Sequence, residues 1–193
     1  MRELILRKSR ESARIAEEFF GVEADRIAAC AVATAERLQR GGRVLAFGNG
    51  GSACDAQHIA VEFQHPIHEK RRAFPAMALP NDVALLTAIG NDRDFAQIYA
   101  DSIRLFGTPV DIAIGISTSG QSANIARGLQ AAREVGCLTI AFAGCDGGRL
   151  AAAADHVFIV PTWSVHRIQE VHVTLLHLLW DLVHISLGER DVV

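Results

Sequence analysis

The sequence predicts a doubly wound α/β fold on a parallel five-stranded sheet, and three observations carry that prediction. Five short apolar runs recur from residue 43 onward, helical patterns separate most of them, and two runs lead into loops rich in serine and glycine. Hydrophobic residues fill 50% of the 193 positions, enough to bury one substantial core. Residues 1–193 are therefore expected to form a single domain, with 1–41 as N-terminal helices serving an oligomer and 42–193 as the α/β core.

Residues 2–20 place Leu4, Ile5, Ile15, Ala16, Phe19 and Phe20 among charges, close to a helical stripe. A second helix is expected from about Ala24 to Gln39, stopped by Gly41 and Gly42, a pair suited to a left-handed cap. The runs "RVLAFG" (43–48), "AFPAMALP" (73–80), "DIAIGIS" (111–117), "CLTIAFAG" (137–144) and "HVFIVP" (156–161) read as core strands. Helical patterns lie at 52–64, 82–106 and 122–135, and such alternation implies parallel strands covered on both faces. The last segment, "RIQEVHVTLLHLLWDLVHISL", is apolar nearly all round. It is either buried within the domain or packed on another subunit, and oligomerisation is the preferred reading.

Ligands of parallel sheets bind beyond the carboxyl ends of strands, where loops enter helix N-termini. "GNGGSA" (48–53) follows the first strand and "STSGQSAN" (117–124) the third. The second loop offers hydroxyls from Ser117, Thr118, Ser119 and Ser122, and neither loop contains Lys or Arg. A phosphate there would be held by hydroxyls, backbone N–H groups and a helix dipole, as suits a phosphate monoester rather than a P-loop triphosphate. A serine-capped helix start is the alternative for either loop alone. Gly48, Gly50 and Ala53 also match G-x-G-x-x-A, but the following strand ends in Pro80 and Asn81, where a dinucleotide site wants an acid.

"QHIAVEF" places His58 and Glu62 one helical turn apart, able to converge on a metal or substrate; a solvated surface pair fits the spacing as well. The last helix adds Gln169, His172 and His177. His177, flanked by apolar residues, is either a hydrogen-bonded core histidine or a functional one. Gln169 and His177 stand about 12 Å apart along a helix axis, so a site completed by another subunit stays open.

The formal charge of -3 gives no cationic excess for a nucleic-acid partner. Cys30, Cys54, Cys137 and Cys145 lack CxxC spacing, as in a reducing cytoplasm. The charged N-terminus lacks a secretory core, and no window reaches the ~18 apolar residues of a membrane span. A cytoplasmic protein without membrane partners is expected.

Together, "GNGGSACDAQHIAVEF", "LLTAIGNDRDF", "GISTSGQSANI", "DGGRL" and "RIQEVHVTLLH" resemble the phosphoheptose isomerase family of sugar isomerase (SIS) domain proteins, over nearly the whole chain. The resemblance implies Rossmann-like subunits in a homotetramer with active sites between subunits. It implies interconversion of sedoheptulose 7-phosphate and D-glycero-D-manno-heptose 7-phosphate through an enediol, often with bound zinc. By position, the metal-site residues fall on His58, Glu62, Gln169 and His177, with Glu62 as base and His177 as acid. Substrate and phosphate contacts fall on Asn49, Gly50, Gly51, Ser52, Asp92, Ser117, Thr118, Ser119, Ser122 and Gln169. Two positions depart from the pattern: Pro66 stands where an arginine reaches the substrate, and the stretch before "RIQE" carries His166 without the usual aspartate. The nearby His65, His68, Lys70, Arg71 and Arg72 could supply a substitute cation or form a solvated charge run. A non-catalytic phosphosugar-binding or regulatory protein is the alternative within this fold, and retention of Glu62 and His177 favours the enzyme. An NAD-dependent oxidoreductase rests only on the glycine match.

Overall fold

The computed structural model describes residues 1–67 and 71–191. Five strands form one sheet: β1 (Val44–Gly48), β2 (Ala76–Ala78), β3 (Ile112–Ser117), β4 (Leu138–Gly144) and β5 (His156–Val160). Every pairing is parallel and the order is β2-β1-β3-β4-β5. The strand order reverses between β1 and β3, whose neighbouring carboxyl ends, Gly48 and Ile116, lie in register. A crevice at such a reversal point is where ligands of open α/β sheets bind.

Helices cover both faces, as expected. On β1 the side chains alternate: Val44 and Ala46 join the core under α1 (Arg2–Gln39), α2 (Gly51–Gln64) and α6 (Val165–Ser186). Leu45 and Phe47 join the opposite core under α4 (Ile98–Phe106) and α5 (Ala123–Val135). The period-2 pleat thus sends one strand's apolar residues into two cores.

Three expectations are corrected. The two N-terminal helices are one continuous helix, because the buried stripe runs on from Phe19 to Ile27 and Cys30 across Gly21. Gly21 faces open space, so its weak helix propensity costs only about 1 kcal/mol. At 1.5 Å per residue α1 is about 57 Å long, and its first turns, with Leu4, Ile5 and Leu6, are exposed. It ends as expected, with Gly41 at φ +85° and the Gly42 N–H donating to Arg37 O. Secondly, the 82–106 pattern is interrupted: α3 (Val83–Asp92) stops at Arg93, and Asp94 accepts from Ala96 N–H to start a 3-10 turn before α4. Thirdly, β2 keeps only three residues of the predicted 73–80 run, which Pro75 and Pro80 bracket.

One side of α6 is buried within the domain. Ile168, His172, Leu175, Leu179 and Val183 are buried in the domain's own core, whereas Val165 and Leu178 remain exposed. No helix is long and apolar enough to cross a membrane among the described residues.

Candidate functional site

Both serine and glycine loops stand at the β1/β3 reversal point. Gly50 adopts φ +55° as the N-cap of α2, and Ser122 precedes the first residue of α5. Neither helix start is capped by a side chain, so the serine-cap alternative fails. The Ser122 hydroxyl instead lies 3.0 Å from that of Ser117, while Ser117 and Ser52 are buried. Ser119 Oγ accepts from the Gln121 N–H, and Thr118 is half-buried beside it. Gly120, at φ +65°, packs so closely on Gly147 that a Cβ would fall 2.2 Å from its carbonyl oxygen. The "DGGRL" turn is therefore the platform under the hydroxyl loop, with Leu150 N–H donating to Gly120 O.

Behind the first loop, Asn49 and Asn124 exchange two hydrogen bonds of 2.9 and 2.8 Å. The Tyr99 hydroxyl donates to Gly48 O and stands 3.4 Å from Asn49 Oδ1. Asn124 and Tyr99 escaped the sequence reading. Asn124 was legible as the last residue of the "STSGQSAN" loop; Tyr99, mid-helix and far along the chain, carried no signal.

α2 and α6 lie side by side and run in the same direction. At their starts Gly51 meets Gln169: a Cβ on Gly51 would lie 2.3 Å from Gln169 Nε2. One turn or two further on, His58 Nε2 is 3.1 Å from His177 Nε2 and 3.3 Å from Glu62 Oε1. The His58 and His177 rings meet edge to face at 4.7 Å. His58, Glu62 and His177 can each present a ligand atom, all within 4.8 Å of one another. Ligands about 2.1 Å from a tetrahedral ion sit about 3.4 Å apart, so the donor set fits a zinc-type metal. His58 and Glu62 meet His177, which is exposed rather than a core histidine. Gln169 sits two turns from His177, over Gly51.

Asp55, one turn before His58 on α2, is buried with Oδ2 lacking a hydrogen-bond partner, and its carboxyl is pushed up to about 6 by burial, against the pull of His58. It was not singled out from the sequence, although "CDAQH" places it at helical spacing from His58. His172 is fully buried, and its Nε2 lies 3.0 Å from Ala143 O. Since a carbonyl only accepts, the Nε2 carries the proton; burial pushes this imidazole down to about 4.

Asp92 stands apart. It is exposed at the end of α3 and accepts from Asn91 Nδ2 at 2.8 Å, in a groove shared with Leu85, Ile89 and Arg104. Of the residues considered as a substitute cation, Arg71 is buried against Asp181, and Arg72 lies over the Phe74 ring. Arg71 is therefore not a solvated charge, whereas Arg72 is exposed. His65 is exposed just past α2, and His68 and Lys70 lie outside the described residues.

A SIS domain family model matches residues 9–144. A phosphoheptose isomerase from Aquifex aeolicus is 45% identical over 191 residues, 99% of this chain and 100% of the relative. The solved structure of the phosphoheptose isomerase from Neisseria gonorrhoeae superposes with a TM-score of 0.88 at 37% identity, over 94% of this chain and 97% of that one. The one from Francisella tularensis gives 0.90 at 33% identity, over 95% and 97%. With its serine loops at the sheet's reversal point and its paired helices α2 and α6, the chain belongs to the SIS domain family, among the phosphoheptose isomerases.

Proposed function

We propose that this protein interconverts sedoheptulose 7-phosphate and D-glycero-D-manno-heptose 7-phosphate through an enediol. The observation that carries the proposal is the convergence of His58, Glu62 and His177 on the helix that leaves the first serine and glycine loop. Aldose-ketose isomerisation moves a proton between C1 and C2, and needs a base, an acid and stabilisation of a developing oxyanion. Glu62 removes a proton from C1 of the ketose and, partly open to solvent with which its acquired proton exchanges, delivers a proton to C2. His177, across the pair, supplies and accepts the proton exchanged between the two oxygens.

The phosphate is held by Ser117, Thr118, Ser119 and Ser122 at the uncapped start of α5, whose dipole favours an anion. Asn49, Gly50, Gly51 and Ser52 line the same crevice. The DGGRL turn and the Asn49–Asn124 pair brace these loops through hydrogen bonds. Two imidazoles, a carboxylate and a carboxamide form a nitrogen and oxygen donor set suited to zinc: His58, Glu62 and His177, joined by Gln169 through side-chain movement. When bound, zinc supplies Lewis-acid polarisation of the substrate's oxygens.

Residues 1–193 act as a single SIS domain, assembled as a homotetramer. The exposed first turns of α1, with Leu4, Ile5 and Leu6, and the exposed Leu178 of α6 support this assembly. Asp92, remote from the triad within one chain, would then serve the site of a neighbouring subunit. The reaction takes place in the cytoplasm, in keeping with four free cysteines, two of which have thiols pushed by burial to about 12 (Cys30) and about 11 (Cys137).

Incubation of the purified protein with sedoheptulose 7-phosphate and zinc tests this reading by formation of the aldose 7-phosphate. Binding of the phosphosugar without any conversion would replace it with the non-catalytic reading.

A further inference from the structure

Beyond the triad, the far ends of α2 and α6 are joined by a part-buried charged cluster, centred on the buried Arg71, that no step above employs. Arg71, 8% exposed, places Nη2 2.5 Å from Asp181 Oδ1 and Nε 3.9 Å from Glu189 Oε2. Its guanidinium lies 4.6 Å over the Trp180 ring. Glu189 also accepts from His184 Nδ1 at 3.1 Å and from the Arg72 N–H at 3.3 Å. His184 in turn stacks on Phe63, the residue after Glu62, with ring centroids 6.5 Å apart.

The placement of these groups gives them a consequence for the site. Arg71 belongs to the segment that follows α2, and Asp181 stands one turn beyond His177 on α6. The two helices touch through Gly51 and Gln169 at their starts and through Phe63 and His184 near their ends, with His58 and His177 between. Contacts at the ends alone are apolar or pliable, and apolar faces tolerate rotation and sliding. Arg71 bonds one carboxylate through Nη2, with its buried Nε and Nη1 lacking hydrogen-bond partners among the described residues, and this charged tie sets the distance between the two segments. Buried ion pairs contribute little net stability compared with apolar packing, so a geometric role accounts better for this one.

We propose that Arg71 is a positioning residue for the isomerisation, its ion pairs with Asp181 and Glu189 setting α6 against the end of α2 so that His177 meets His58 and Glu62. This rests on the function proposed for that triad. It also gives Arg71 a task different from that of a substrate-binding cation in the segment after Pro66.

The test is the double variant Arg71→Met/Asp181→Leu, which removes the closest ion pair together and leaves Glu189 with His184 and the Arg72 N–H, together with Arg71→Lys. Four quantities are measured: the melting temperature, kcat and KM for sedoheptulose 7-phosphate, and the His58 to His177 Nε2 separation in metal-free crystal structures. The expected result is a folded double variant whose Nε2 separation widens by about 1 Å and whose kcat falls about 100-fold. KM should stay within about 3-fold, and Arg71→Lys should fall between wild type and the double variant. A wild-type kcat in the double variant, or an unchanged Nε2 separation, overturns the proposal. If the double variant does not fold, Asp181→Asn decides: a kcat about 10-fold lower supports positioning and a wild-type kcat refutes it. The crystallographic distance does not depend on turnover, so a wild type without isomerase activity would refute the proposed function while the positioning is still judged on geometry.

Discussion

Replacing Gly51 by alanine separates the geometry of the site from the stability of the fold. The new Cβ would stand 2.3 Å from Gln169 Nε2, 3.2 Å from Cδ and 3.5 Å from Oε1. Ordinary contact requires about 3.5 Å, so the carboxamide must retreat by about 1 Å. The obstructed group is the free end of a flexible side chain, and Gly51 opens α2 in ordinary helical conformation, so the fold loses nothing comparable. Alanine's better helix propensity offsets any residual strain to within about 1 kcal/mol. A misplacement of about 1 Å at a reacting centre costs on the order of 100-fold in rate, or about 2.7 kcal/mol of transition-state stabilisation. The assay is kcat/KM for sedoheptulose 7-phosphate beside a thermal melt: kcat/KM should drop about 100-fold with a melting temperature shifted by no more than a few degrees. Activity within about 3-fold of wild type would refute a working role for Gln169, whose carboxamide the new Cβ displaces from the place it swings out from.

Glu62→Gln should lower kcat by at least about 100-fold, with an unchanged circular dichroism spectrum, because the amide cannot accept the C1 proton; undiminished turnover would remove Glu62 as the base. Zinc at about 100 times its Kd should raise stability by about 2.7 kcal/mol in wild type and much less in His58→Ala or His177→Ala, read as a melting-temperature shift; equal shifts in all three would place the metal elsewhere. His172→Leu leaves the Ala143 carbonyl without its donor and should cost about 1–3 kcal/mol by denaturant unfolding, whereas His172→Gln, whose Nε2 can donate in the same way, should recover most of it. His172 is held neutral in the fold with its pKa down at about 4, below its unfolded value of about 6.5. Its contribution is therefore intact above pH 6.5 and is lost as pH falls toward 4, while the unfolded chain takes up the proton. Asp55, raised to about 6, acts with the opposite sign across much of that window, so the difference between wild type and His172→Gln isolates the histidine; identical pH profiles would contradict the buried neutral imidazole.

The parts of the fold that rest on local pattern were legible before the structure. Strand runs such as "DIAIGIS" are uniformly buried because both sheet faces are covered, which is what continuous apolar runs mean. The His58 and Glu62 pair was legible because four residues make one turn. What depended on long-range packing was not. Two helices were expected, one over 2–20 and one from about Ala24, yet the stripe from Phe19 to Ile27 carries α1 through Gly21. His172 and His177 look equivalent in "EVHVTLLH", and only the direction of α6 decides that the first enters the core beneath β4 while the second meets His58. Arg71 read as one of several loose cations, because its partners, Asp181 and Glu189, lie more than a hundred residues away. Asp92 carries a family position without any contact to the triad in the same chain, and spacing cannot report on a neighbouring subunit.

The most direct test of the central claim is isomerisation of sedoheptulose 7-phosphate in heavy water, followed by NMR of the aldose product. Proton transfer by Glu62 through an enediol predicts deuterium at C2 of the heptose 7-phosphate, at a rate that falls with Glu62→Gln. Aldose formed with no deuterium at C2 in any product molecule and at a rate unchanged by Glu62→Gln, or no aldose at all, would contradict it.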